Sequence, residues 1–150
     1  MAELEPGVIV TWNGAAFDLP FISDRADTLG VTVGLVLRFD PAIARRDPLP
    51  GHDGGYRARW YEHRHLDGYQ LYRADVGSAL HLPCGLKPLA RFAGLSVVEV
   101  DREAIHELDR ETTRRYVASD ARLARALVLR RASTANLAID RVESLEGHRP

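Results

Sequence analysis

The chain is organised around Val8-Ile9-Val10-Thr11-Trp12-Asn13-Gly14-Ala15-Ala16-Phe17-Asp18-Leu19-Pro20-Phe21-Ile22. Val8, Ile9 and Val10 are β-branched and apolar, the composition of a buried strand. Asn13-Gly14 breaks that pattern, because glycine lets the backbone turn where other residues resist. Leu19, Ile22, Ala26 and Leu29 then recur at helical spacing, and Gly30 is a natural stop. The stretch reads as a strand-to-helix junction with Asp18 between Phe17 and Leu19. A carboxylate there is costly to bury unless it is paired or bound to a metal. The alternative is that Asp18 caps the helix running from about Leu19 to Leu29.

At 150 residues the chain is long enough for one domain with its own core, so 1–150 is read as a single domain. Val31 to Phe39 is rich in β-formers and reads as a second strand. Prolines and glycines accumulate from Asp40 to Tyr56, a loop excursion within that domain. His63 and His65 fall on one face of the next strand, which Asp67 ends. A metal pair there lacks a third ligand, and two surface histidines beside arginines is the plainer reading. Gly85 to Leu95 is a short helix with Leu86, Leu89, Ala90 and Ala93 on its apolar face. Ser96 to Val100 reads as extended, and Asp101 to Leu108 as a short helix or turn. The last long element runs from about Asp109, an N-cap, to Arg131, and a tail follows over about 133–150. Within it, Tyr116 and Asp120 share one helix face, while Val117, Leu123, Ala124, Leu127 and Val128 supply a core stripe. Taken alone, that pair is a tyrosine and an aspartate flanking the stripe.

Two motifs in this order resemble the DEDD (DnaQ-like) 3'–5' exonucleases, including the proofreading domains of family-B DNA polymerases. Asn13-Gly14-x-x-Phe17-Asp18-x-Pro20-Phe21 resembles their second exonuclease motif. Tyr116-x-x-x-Asp120 resembles the third motif of the tyrosine-bearing subclass. The resemblance spans about Val8 to Leu129 and implies an α/β, ribonuclease H-like fold. It implies that Asp18 and Asp120 are metal ligands, and that Tyr116 positions the attacking water. Asn13, Gly14 and Phe17 would lie against the 3'-terminal nucleotide, with Asp67 in a supporting role. The implied cofactor is Mg2+ or Mn2+, two ions in the intact site, and the implied substrate is a DNA 3' end, single-stranded.

The family's first motif, Asp-x-Glu on an opening strand, is not found before Val8. Asp101-Arg102-Glu103 and Asp109-Arg110-Glu111 match it by letter, but in the wrong order and at helix starts, where acidic residues are common. The expectation is a domain incomplete at its N-terminus, its first strands absent and its sheet left with an open apolar edge. The missing carboxylates would come from an N-terminal segment or a partner subunit. The other reading is a catalytically inactive nucleic-acid-binding or scaffolding remnant of such a domain.

Composition narrows the partners. A net charge of −1 gives no global basic field for nucleic acid. Lys87 is the only lysine, so phosphate contacts fall to arginines such as Arg57, Arg59, Arg64 and Arg73, or those arginines line a solvated strand face. Cys84 is alone, which excludes a disulfide framework. The first residues lack the pattern of a signal peptide, and no apolar run reaches membrane-spanning length. A cytoplasmic protein with no membrane partner is expected.

Overall fold

The structure, a computed structural model, describes residues 1–43, 49–101, 103–131 and 133. The stretch expected as a C-terminal tail lies almost wholly outside the described residues, and so does part of the expected loop excursion. The elements are β1 (Val8–Thr11), α1 (Asp18–Leu29), β2 (Leu35–Phe39), β3 (Tyr56–Trp60), β4 (His63–Asp67), α2 (Gly68–Tyr72), α3 (Ser78–Leu80), α4 (Leu86–Phe92) and α5 (Arg110–Arg130). A π-helical turn, Arg73–Gly77, links α2 to α3.

The strands form one mixed sheet in the order β1-β4-β3-β2. β1 runs parallel to β4, with Val8 opposite Arg64 and Thr11 opposite Asp67. β3 is antiparallel to both β4 and β2. Period-two alternation then sorts the faces. Val10 and Leu66 share the face that packs with Leu71 and Val128, which seats α5 across β1. Ile9, Thr11, His65 and Asp67 share the other face. β1 is the end strand, with β4 as its one strand neighbour among the described residues, and Val8 is exposed.

The larger core cluster joins α2, α4 and α5 through Tyr72, Cys84, Leu89, Ala90, Leu123 and Leu127. Burying six such side chains against one another is what holds α5 in place, at about 25 cal/mol per Å² of apolar surface removed from water. The Tyr72 hydroxyl donates to the Leu127 carbonyl at 2.8 Å, so the phenol enters the core without an orphaned polar atom. Asp109 caps α5, its side chain accepting from the Thr112 N–H at 2.8 Å.

α1 starts one residue earlier than its apolar spacing suggests. Pro20 falls in the first turn, where its missing N–H costs nothing. Gly30 ends the helix at φ 64°, a left-handed position that favours glycine. Leu19 and Ala26 are buried, but Leu29 is 58% exposed, so the apolar stripe ends a turn before the helix does. Strand β2 begins only at Leu35, and residues 96–100 carry no regular structure. β3 was not expected, although Tyr56, Ala58 and Trp60 alternate with Arg57 and Arg59, because the strand follows directly on the proline- and glycine-rich stretch.

Candidate active site

The site is built where β1 and β4 end side by side. Trp12, the first residue after β1, donates from Nε1 to the Cys84 carbonyl at 3.0 Å, and its ring lies 5.6 Å from that of Tyr72. This anchor sinks the chain into the core just before it turns. Asn13 follows at φ 69°, a left-handed conformation that asparagine tolerates better than most residues. Gly14 is required for a different reason. A Cβ there would come within 2.5 Å of the Thr11 hydroxyl, so the turn closes only around a bare Cα.

Asp67 holds this turn in place. Its Oδ1 accepts from the Asn13 N–H at 2.8 Å and the Tyr69 N–H at 3.0 Å, and its Oδ2 accepts from the Ala15 N–H at 2.9 Å. The same carboxylate therefore caps α2 and fixes the Asn13–Ala15 segment. Burial pushes the Asp67 carboxyl above its usual range, against the opposing pull of the Ala15, Asn13, Tyr69 and Gln70 N–H groups.

Asp18 is the first residue of α1 and is exposed, so it is neither a buried carboxylate nor a helix cap. The capping position belongs to Phe17, which offers no side-chain hydrogen bond. Phe17 is itself 50% exposed beside Asp18, an aromatic face open to solvent.

α5 carries Tyr116 and Asp120 one turn apart. Asp120 Oδ1 is buried with no hydrogen-bond partner, and so is Asn13 Oδ1. Such atoms cost free energy unless something outside the chain completes them. The Lys87 ammonium lies 4.4 Å from the centre of the Tyr116 ring, a contact between residues 29 positions apart that no local pattern announces.

Other candidates resolve into local structure. Asp101 Oδ1 accepts from the Glu103 N–H at 2.9 Å, closing a short turn, and Asp109 is a helix cap, so neither Asp-x-Glu match forms a site. Among the described residues no three His, Cys, Asp or Glu side chains are grouped to hold a metal ion. Of the β4 histidines, His63 is buried and His65 half-buried, and each has a partner. His63 is 4% exposed and its Nε2 meets the Met1 carbonyl at 3.0 Å. His65 Nε2 lies 2.8 Å from the Thr11 hydroxyl, and burial pushes its imidazole down to about 4. Both lie on the same strand face as Asp67. Arg57 is paired with Asp40 at 2.8 Å and Arg59 with Glu62 at 2.8 Å. Arg57, Arg59 and Arg64 do share one sheet face by register, whereas Arg73 lies off the sheet in the π-helical turn.

A mixed four-stranded sheet with helices is an α/β arrangement consistent with a ribonuclease H-like exonuclease domain. The family model described as DNA polymerase family B, exonuclease domain, matches residues 1–75, and the chain belongs to that family. The matched half contains the Asn13–Gly14 turn, Asp18 and Asp67. No curated protein matches the chain. Membership implies a nuclease-type hydrolase acting on nucleic acid, of a kind that uses divalent metal ions. No helix among the described residues is long and apolar enough to cross a membrane.

Proposed function

We propose that the chain is part of a 3'–5' exonuclease that removes nucleotides from DNA 3' ends by metal-dependent phosphodiester hydrolysis. The observation that carries this reading is the buried, unpartnered Oδ1 of Asp120, one helical turn from Tyr116. A buried carboxylate oxygen with no partner in the chain suits a divalent-cation ligand, since a hard divalent ion prefers oxygen donors. Asp18 and Asp120 would hold Mg2+ or Mn2+. When bound, two such ions activate water and stabilise the attacking and leaving oxygens of the displacement.

The chain's own groups then have distinct tasks. The Tyr116 hydroxyl orients the attacking water, a role that needs hydrogen-bonding reach. The bare Cα of Gly14 lets the turn close over Thr11, which sets the position of Asn13 beside the substrate strand. Asn13 and exposed Phe17 would contact the terminal nucleotide, with Phe17 stacking on its base. Asp67 keeps Asn13 and Ala15 in register with these partners.

Two carboxylates are too few to hold two ions. A further Asp-x-Glu pair, from a preceding segment or a partner subunit, would complete the set on a strand that pairs with the edge of β1. The test is digestion of 5'-labelled single-stranded DNA with Mg2+ or Mn2+ by this chain and by Asp18→Asn. A ladder shortening from the 3' end and abolished by the substitution supports the reading, either at once or after an Asp-x-Glu segment is supplied. No cleavage in either form leaves a non-catalytic nucleic-acid-binding or scaffolding module.

A further inference from the structure

α5 packs on the β1 end of the sheet, over the face that carries Val10 and Leu66. Arg64 lies two residues before Leu66 on β4 and so shares that face. Register carries the face across the sheet: Arg59 stands opposite Arg64, Val36 opposite Arg59, and Arg38 opposite Arg57. Four guanidinium groups therefore lie on one face of three adjacent strands, in a chain whose net charge is only −1. Arg38, Arg59 and Arg64 are exposed, and so is Val36 among them, at 63%.

Like charges directly opposite each other weaken a sheet, and here two such pairs lie side by side. Asp40 and Glu62 offset part of that cost. Arg57 donates from Nε to Asp40 at 2.8 Å, and Arg59 donates from Nη2 to Glu62 at 2.8 Å and from Nε to the Tyr61 carbonyl at 3.0 Å. A guanidinium has five N–H donors in a rigid fork. These bonds hold the planes of Arg57 and Arg59 and leave further donors of each for an anion.

We infer that this face binds the phosphodiester backbone of single-stranded nucleic acid, as a surface separate from the cleavage site. The inference rests on the family's action on nucleic acid and not on the roles given to Asp18, Tyr116 and Asp120. Arg64 sits opposite Val8 at the start of β4, whereas Asp67 and the Asn13 turn lie at the other end of the same strands. The cations form one diagonal track, from Arg64 on β4 through Arg59 and Arg57 on β3 to Arg38 on β2. It spans two strand spacings and two residues of rise, roughly 12 Å from end to end. One phosphodiester backbone suits so narrow a track, and arginine forks grip phosphate oxygens two at a time. Val36, opposite Arg59, offers the sugar or base an apolar contact. Such contacts position a strand without reading its sequence, which suits an enzyme that trims ends of any sequence.

The probe is fluorescein-labelled oligothymidylate, followed by anisotropy with the full chain and with EDTA present so that nothing is cleaved. Arg38→Gln combined with Arg59→Gln should weaken binding about tenfold at low salt, and the slope of log K against log salt should lose about 1.4, the value for two phosphate contacts to a single strand. The matching pair Arg38→Lys and Arg59→Lys should keep the slope. The pair Arg122→Gln and Arg125→Gln, which removes two exposed arginines from α5, should leave binding unchanged. Binding untouched by the glutamine pair on the sheet, an equal loss in the α5 pair, or duplex DNA bound as tightly as oligothymidylate each overturns the inference. Should the sheet variant fail to fold, the wild type decides: the Nε–H resonances of Arg38, Arg57, Arg59 and Arg64 should shift together on titration with oligothymidylate, and resonances that stay put at saturation overturn it.

In whichever form of the chain cleaves DNA, the same glutamine pair should raise KM and leave kcat unchanged. A chain that binds through this face and never cleaves refutes the nuclease reading alone. A chain that cleaves while the sheet variant binds as tightly as the wild type refutes this inference alone.

Discussion

The Asp67 carboxylate at the end of β4 accepts a hydrogen bond from the Asn13 N–H just beyond the end of β1, at 2.8 Å. Two strands that run parallel are thus locked together at their C-terminal ends by a side chain rather than by the sheet ladder. Asp67→Asn replaces an acceptor with a group that turns an N–H toward one of those backbone donors. It should destabilise the protein by about 2–3 kcal/mol in chemical denaturation. In the active nuclease it should also raise KM for the 3' end, because the Asn13–Ala15 segment loses its anchor.

His65 should make the protein sensitive to mild acid. The unfolded histidine binds a proton near 6.5, the folded one only near 4. Between those values the unfolded chain takes up a proton that the folded chain refuses. Stability is therefore complete above about pH 6.5 and falls as the pH drops toward 4, by up to about 3 kcal/mol from this residue. Urea midpoints measured at pH 7 and pH 5 should differ more for the wild type than for His65→Leu.

Gly14→Ala should be poorly tolerated. Its Cβ would lie 2.5 Å from the Thr11 hydroxyl and 2.6 Å from the Thr11 Cβ, and that hydroxyl is already engaged with His65. Overpacking of this kind costs about 1–3 kcal/mol. A fall in Tm should accompany a lowered activity, since the turn that carries Asn13 must move to make room.

Asp120 should separate stability from function. Asp120→Asn removes a charge whose buried oxygen has no partner, so the metal-free protein should keep or gain stability while cleavage falls at least a hundredfold. Mg2+ or Mn2+ should raise the Tm of the wild type, with about 2.7 kcal/mol of stabilisation at a hundred times the dissociation constant, and leave Asp120→Asn unmoved. A thermal-shift titration of both proteins with each metal checks this directly.

What could be read from the residues in order was what local chemistry determines. The β-branched run Val8–Val10, the glycine that ends α1 and the aspartate that caps α5 all act within a few residues of themselves. β3 was hidden because it is short and follows directly on the proline- and glycine-rich stretch, and its place in the sheet depends on partners in β2 and β4. His63 and His65 looked like surface residues because arginines flank them, yet their environment is set by β1 and the N-terminal residues, more than fifty positions away. The exposure of Asp18 follows from where α1 begins, which Phe17 decides by occupying the cap position without capping. The motif spelling located the candidate residues, but only the folded arrangement exposed the bare oxygens of Asn13 and Asp120 and the cation against Tyr116.

The anchoring of Trp12 makes the protein its own optical instrument. The chain has two tryptophans. Trp60 sits at the other end of the sheet, donating to the Val33 carbonyl at 2.6 Å, whereas Trp12 immediately precedes Asn13. Any event that pulls on the turn is transmitted to an indole hydrogen-bonded to Cys84 and packed on Tyr72. In a Trp60→Phe background, the emission of the remaining indole becomes a label-free record of occupancy at the turn, legible in real time and without any turnover of substrate.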